Sequence, residues 1–162
     1  MMEINGEYLL RTAPETAWTA LHDAALLERC VPGCESVTWL DAATVEASLV
    51  LRLGAAKRRY RGRVRIADSR PYESYTLLFG ESEQGSSVTA RIAFLQQGDD
   101  TAVSYAVEAQ LDGYLARLGA PVAVAIARRL AERFFKRCNA ELIANSGGDG
   151  KRPSLPSPER NS

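Results

Sequence analysis

Between Thr44 and Leu111 apolar side chains recur at every second position in separate runs, and from Tyr114 onward they recur at every third or fourth. A two-residue repeat puts all the apolar groups of a strand on one face, whereas a 3.6-residue repeat gathers them into one stripe of a helix. A chain that changes period in this way has one economical solution: a half-buried antiparallel sheet laid against one long helix. The repeat places Val45, Ala47, Leu49, Leu51 and Leu53 on one face of the first central strand, and Tyr60, Val64 and Ile66 on the next. Further strands carry Tyr75, Leu77 and Phe79; Val88, Ala90, Ile92 and Phe94; and Val103, Tyr105, Val107, Ala109 and Leu111. Short turn signals separate them: Gly54-Ala55-Ala56, Arg70-Pro71, Glu83-Gln84-Gly85-Ser86 and Gly98-Asp99-Asp100. The final stripe runs through Leu115, Leu118, Val122, Ile126, Leu130, Phe134 and Leu142, with Arg128, Arg129, Glu132, Arg133, Lys136 and Arg137 opposite. Gly119-Ala120-Pro121 interrupts it and is expected to kink the helix or to start its main part.

Ahead of the sheet, residues 3–11 alternate as a strand, with Ile4, Tyr8 and Leu10 on its apolar side. Ala13-Pro14-Glu15 then opens a helix, because proline at the first helical position loses no hydrogen bond and Glu15 meets the positive end of the helix dipole. Asp23 is placed to cap a second short helix over 24–30, and Pro32-Gly33 ends it. The order is α+β: one strand, two short helices, about six more strands and a long terminal helix. Residues 1–144 form one domain, and 145–162, rich in Gly, Ser and Pro without periodicity, read as a disordered tail.

Composition narrows the function. Twenty basic and 20 acidic side chains give a formal net charge of zero, which argues against nucleic acid as a partner, since that binding leaves a strongly basic footprint. No apolar run approaches the roughly 20 residues that a membrane-spanning helix needs. The N-terminal Met1-Met2-Glu3-Ile4-Asn5-Gly6 lacks a signal peptide's basic and apolar regions, so a cytoplasmic location is expected. The three cysteines, Cys30, Cys34 and Cys138, are an odd number, and with His22 they would supply four zinc ligands on paper. Cys138 has no ligand beside it in sequence, so small apolar fillers and loop thiols are the simpler reading, and no metal is expected. A single histidine leaves little room for a Ser-His-Asp or Cys-His mechanism, and no phosphate-loop, GxGxxG or HExxH spacing occurs.

The order of elements resembles the helix-grip fold of the START-like (SRPBCC) superfamily of polyketide cyclases, plant pollen allergens and lipid carriers. A closer resemblance is local. Cys30-Val31-Pro32-Gly33-Cys34-Glu35, the opening Glu3-Ile4-Asn5-Gly6, the Tyr60-x-Gly62-x-Val64 strand, Gln110 through Gly119, and Leu130-Ala131-x-x-Phe134-Phe135 are similar to the CoxG family of carbon monoxide dehydrogenase proteins over roughly residues 2–143. The resemblance implies a non-catalytic accessory protein without a covalent cofactor. It implies a cavity for a hydrophobic small molecule such as a quinone, and recruitment of a molybdenum hydroxylase, such as aerobic carbon monoxide dehydrogenase, to the inner face of the membrane by peripheral contact. Two alternatives stay open: a polyketide cyclase or dehydratase-like enzyme using cavity tyrosines or Asp112, and an assembly factor with no ligand.

A sheet gripping a helix tends to enclose an apolar cavity. Tyr60, Val64, Tyr75, Phe79, Ile92, Phe94 and Tyr105 are expected to face Leu115, Leu118, Val122 and Ile126 across it, with the small residues Gly113, Gly119, Ala123 and Ala127 leaving volume on the helix side. A buried tyrosine seeks a hydrogen-bond partner, so Tyr60, Tyr75 or Tyr105 is expected to hold the ligand's polar head. Leu26, Val31 and Pro32 are candidates for a lid at the mouth. Lys57, Arg59, Arg61, Arg63 and Arg65 occupy alternate positions and project from one face, with Arg52 as a neighbour. Such a run is either a solvated outer face or a docking stripe for anionic lipid or an acidic partner.

Overall fold

The computed structural model of the chain describes residues 2–53, 55–79, 87–111 and 113–147, of which 53, 114, 115 and 145–147 are described in backbone only. Seven strands pair antiparallel in one open sheet of order β1-β7-β6-β5-β4-β3-β2. They are β1 Met2–Leu10, β2 Cys34–Asp41, β3 Thr44–Leu53, β4 Ala56–Arg70, β5 Ser74–Phe79, β6 Ser87–Gln97 and β7 Asp100–Gln110. The helices are α1 Pro14–Leu21, α2 Ala24–Cys30, α3 Gly113–Arg117 and α4 Ala120–Gly147. β2 was not among the strands read from the alternation. It forms an edge, with Val37 and Trp39 opposite Ala47 and Val45 of β3 and register shifts near both its ends. The turn residues Gly54 and Glu83 to Ser86, together with Asp112 and 148–162, lie outside the described residues; α4 itself runs to Gly147, past the boundary expected for the tail.

Local chemistry sets the corners. Pro14 sits at the start of α1, and the Asp23 carboxylate accepts from the amides of Ala25 at 3.0 Å and Leu26 at 3.4 Å, satisfying two of the donors that open α2. Gly33 follows α2 with φ +78°, where a Cβ would lie 2.1 Å from the Val50 carbonyl oxygen, so only glycine fits there. Val50 N–H donates to the Gly33 carbonyl at 2.8 Å, tying this corner to β3. Leu118 and Gly119, the latter at φ +87°, separate α3 from α4. The interrupting triplet therefore starts the main helix and does not kink it.

The core is densest where α1, α2 and the C-terminal half of α4 meet β1, β7 and β6. Leu10, Val103, Cys30 and Cys138 are fully buried there, with Leu21, Leu26, Phe94, Phe135 and Leu142 around them. An Arg29–Glu141 ion pair at 2.9 Å joins α2 to α4 at the surface above. Asn139 of α4 bonds the β1–α1 corner at both of its polar atoms, accepting from Arg11 N–H and donating to the Leu9 carbonyl, each at 2.9 Å.

Candidate functional site

Strand register carries the inward side chains across the sheet in rows. Tyr75, Ile92, Tyr105 and Gly6 form one row; Ile66, Leu77, Ala90, Val107 and Ile4 form the next; Val64, Phe79, Val88, Ala109 and Met2 form a third. Tyr60 and Leu49 pair further along β3 and β4. Toward the α1–α2 end the rows are buried. Toward the other end Tyr60, Val64, Leu77, Phe79 and Val88 are only half-buried. The long helix explains the change. Its backbone comes close to β1 and α2 but stands off β3 to β6, and its inward side chains switch from Phe135, Cys138 and Leu142 to Ala123, Ala127 and Ala131. The result is a half-buried apolar strip, the trough, between the sheet and the alanine face of α4, in which Leu77, Ile92, Val107, Ala127 and Ala131 pack against the core cluster, with a floor of aromatic rings at the α1–α2 end.

The floor distinguishes the three tyrosines. The Tyr105 ring lies over Gly6, where a Cβ would come within 2.6 Å of its hydroxyl, and it stacks with Tyr8 at 6.1 Å. Burial comes first, and the adjoining Tyr105 hydroxyl next, in raising the Tyr8 phenol above its usual range. Tyr60 is half-buried and already engaged. Tyr75 is 6% exposed, edge-on to Trp18 at 5.1 Å and to His22 at 4.9 Å, and tilted against Phe94 at 5.9 Å. Burial pushes its phenol far up, with the Cys138 sulfur nearby as a lesser cause, and among the described residues its hydroxyl has no hydrogen-bond partner. A buried hydroxyl without a partner costs about 1–3 kcal/mol, so it is the position in this floor that most needs a bound acceptor.

The helix side needs correction. Val122 is 48% exposed, and with Ile126, Pro121 and Ala125 it lines an open groove of about 810 Å³ beside Tyr8, Arg128, Arg129 and Glu132. Restarting the helix at Ala120 resets its phase, so the face toward the sheet runs through Ala123, Ala127 and Ala131, one residue on from the expected stripe. Leu118 is half-buried at the helix break, and the side chain of Leu115 lies outside the described residues. Leu26 is buried in the core and Pro32 is buried beside a half-buried Val31. Opening these as a lid would break the Val50–Gly33 hydrogen bond and withdraw Pro32 from its seat.

The remaining reactive groups are engaged elsewhere. His22 Nδ1–H donates to the Trp18 carbonyl at 2.7 Å, and its ring stacks on Trp18 at 4.6 Å. Cys30 and Cys138 lie against each other in the core, and burial raises both thiols. Among the described residues no three His, Cys, Asp or Glu side chains come together in a way that would hold a metal ion. Lys57, Arg59, Arg61, Arg63 and Arg65 are all exposed on the outer face of β4, away from the trough. Arg59 makes a two-pronged pair with Glu35, Nε to Oε1 at 2.9 Å and Nη2 to Oε2 at 3.1 Å, and Arg63 lies 3.7 Å from Glu46. Ser48, buried beneath them, donates to Glu35 at 3.2 Å. Sequence reasoning does not find the stack of Tyr8, Tyr105 and Phe135 over Gly6; the apolar positions are visible, but their meeting across the chain is not.

The family model for CoxG, a carbon monoxide dehydrogenase subunit, matches residues 6–143. No curated protein sequence matches the chain. Among solved structures, a conserved protein from Geobacillus kaustophilus superposes with a TM-score of 0.81 at 26% identity, covering 90% of this chain and 97% of that one. A START superfamily protein from Mycobacterium smegmatis superposes at 0.74 with 8% identity, covering 90% and 99%. A protein from Thermus thermophilus does so at 0.65 with 17% identity, covering 86% and 98%. Sheet order, the terminal helix and these likenesses make the architecture the expected helix-grip fold.

Proposed function

Since the chain belongs to the CoxG family of carbon monoxide dehydrogenase subunits, we propose that it is a non-catalytic accessory protein of a molybdenum hydroxylase of the carbon monoxide dehydrogenase type, one that holds a quinone in the trough and brings the enzyme to the membrane. The observation that supports the reading is the floor of that trough: rows of half-buried apolar side chains running up to a buried phenol, Tyr75, that lacks an acceptor among the described residues. A quinone fits both parts, because its ring carbonyls accept hydrogen bonds and its isoprenoid tail is apolar along its length. Burial of that tail stabilises the complex by about 25 cal/mol for each Å² removed from water. When bound, the quinone supplies the electron-accepting chemistry; the chain's own residues hold it, orient its head and keep water from it. The family name links the chain to carbon monoxide dehydrogenase, and no helix among the described residues is long and apolar enough to cross a membrane, so membrane contact in this reading is peripheral.

The test is mass spectrometry of organic extracts from protein purified from its own host, followed by titration with ubiquinone and menaquinone. A stoichiometric quinone, and an affinity lowered about tenfold by Tyr75→Phe but little by Tyr105→Phe, are expected for loss of one buried hydrogen bond. A clean extract together with no binding of either added quinone would overturn the carrier reading.

A further inference from the structure

The outer face of β4 carries a line of exposed basic side chains. Lys57, Arg59, Arg61, Arg63 and Arg65 stand there at alternate positions, a line of about 26 Å at about 3.3 Å per residue. Register adds Arg52 of β3 directly across from Lys57. A like-charged cross-strand pair is destabilising, and no acidic side chain among the described residues is placed against it. Arg59 and Arg63 have carboxylates beside them, whereas Lys57, Arg61 and Arg65 form no ion pair with any described residue. The pair already present shows what this face selects. Glu35 accepts from both prongs of Arg59, and this contact holds its carboxyl below the usual carboxylate range. Four guanidinium forks spaced at about 6.6 Å along a strand suit a row of carboxylates, such as Glu side chains four apart on a partner helix.

We propose that this stripe is the docking surface for an acidic face of the dehydrogenase, an inference that rests on the accessory-protein reading above. Geometry favours a protein over a lipid surface. Tyr60, Val64 and Ile66 alternate with the basic residues and point the other way, into the trough. A membrane lying flat on the stripe would therefore cover the side of the sheet opposite the ligand. The neighbouring outward residues Ser36, Thr38 and Thr44 carry hydroxyls, and the apolar Val50 and Leu78 across from Arg59 and Arg65 are half-buried beside the stripe and do not project as groups that insert among acyl chains; charge alone makes a weak anchor. A partner held on the outer face leaves the trough's mouth free.

The experiment immobilises the host's molybdenum-containing carbon monoxide dehydrogenase and measures binding of the full chain at two salt concentrations. Variants are Lys57→Glu/Arg61→Glu/Arg65→Glu and, as a milder set, the same three positions changed to Gln. A control reverses Arg129, Arg133 and Lys136 on α4. Circular dichroism checks folding. Binding weakened about tenfold or more by stripe reversal, with a flatter salt dependence, is expected, along with a smaller loss for the Gln set and no change for the control. Association with vesicles of phosphatidylglycerol and phosphatidylcholine should be the same for all. Enzyme binding that survives both stripe sets would overturn the surface and leave the accessory reading standing. Loss of vesicle association along with enzyme binding would overturn it too, by making the stripe a general polyanion surface. No binding by the unsubstituted chain would overturn both readings together.

Discussion

The two halves of α4 meet the same sheet in opposite ways. The C-terminal half drives Phe135, Cys138 and Leu142 into the buried cluster formed with α1, α2 and β1, whereas the N-terminal half offers Ala123, Ala127 and Ala131 to rows of half-buried Leu77, Phe79 and Val64. The strands beneath carry the same alternation throughout, so the helix decides which part of the sheet becomes dense core and which part stays half-buried.

The sharpest way to break that comparison is to remove equal volume from each half. Leu10→Ala, at a fully buried position, should cost about 2–5 kcal/mol in urea denaturation, while Leu77→Ala, half-buried over the trough, should cost nearer 1 kcal/mol. Equal losses would mean that the trough is ordinary core. Adding volume should reverse the contrast. Cys138→Leu overpacks a fully buried site and should destabilise by about 1–3 kcal/mol, whereas Ala127→Leu, at a half-buried position, should leave stability within about 1 kcal/mol while lowering quinone affinity. The smallest effect belongs to the outer face. Arg59→Gln should raise the Glu35 midpoint in an NMR titration back toward its ordinary value of 4.5. Because the folded-state carboxyl is held low, its contribution is complete above that value and is lost as pH falls through the depressed one. The stability difference between Arg59→Gln and the unsubstituted chain should therefore be constant at neutral pH and above and should fade only in acid.

Much of this was legible beforehand, and the exceptions have physical causes. Period-two runs located β3 to β7 because each strand buries one face and wets the other. β2 escaped since only Val37 and Trp39 face inward on it and register shifts interrupt its ends. The long helix was visible, but its phase was not: Val122 and Ile126 looked like core by spacing, and only the restart after Gly119 turns Ala123 and Ala127 toward the sheet. The basic stripe was readable in full, because alternation alone puts five charges on one side. The special standing of Tyr75 was hidden, because a hydroxyl lacks a partner only by virtue of what packs around it, and Trp18, His22 and Cys138 arrive from distant parts of the chain.

The attachment of α4 has a mechanical side. Cys138, Phe135 and Asn139 fasten it to α2 and β1 near one end, and the stretch from Cys138 back to Ala123 measures about 22 Å at about 1.5 Å per residue. A rod pinned in this manner turns a small rotation at its fulcrum into a larger sweep at its tip; a tilt of about 5° carries the tip by about 2 Å over that arm. Since α3 joins the tip through Gly119 and not through continuous helix, the nearest other tie is the hydrogen bond from Arg128 Nη1 to the Asn5 carbonyl at 3.3 Å. On the carrier reading proposed above, room for a bulky guest would be governed from the far end, by how tightly a pair of thiols and their neighbours grip the pivot.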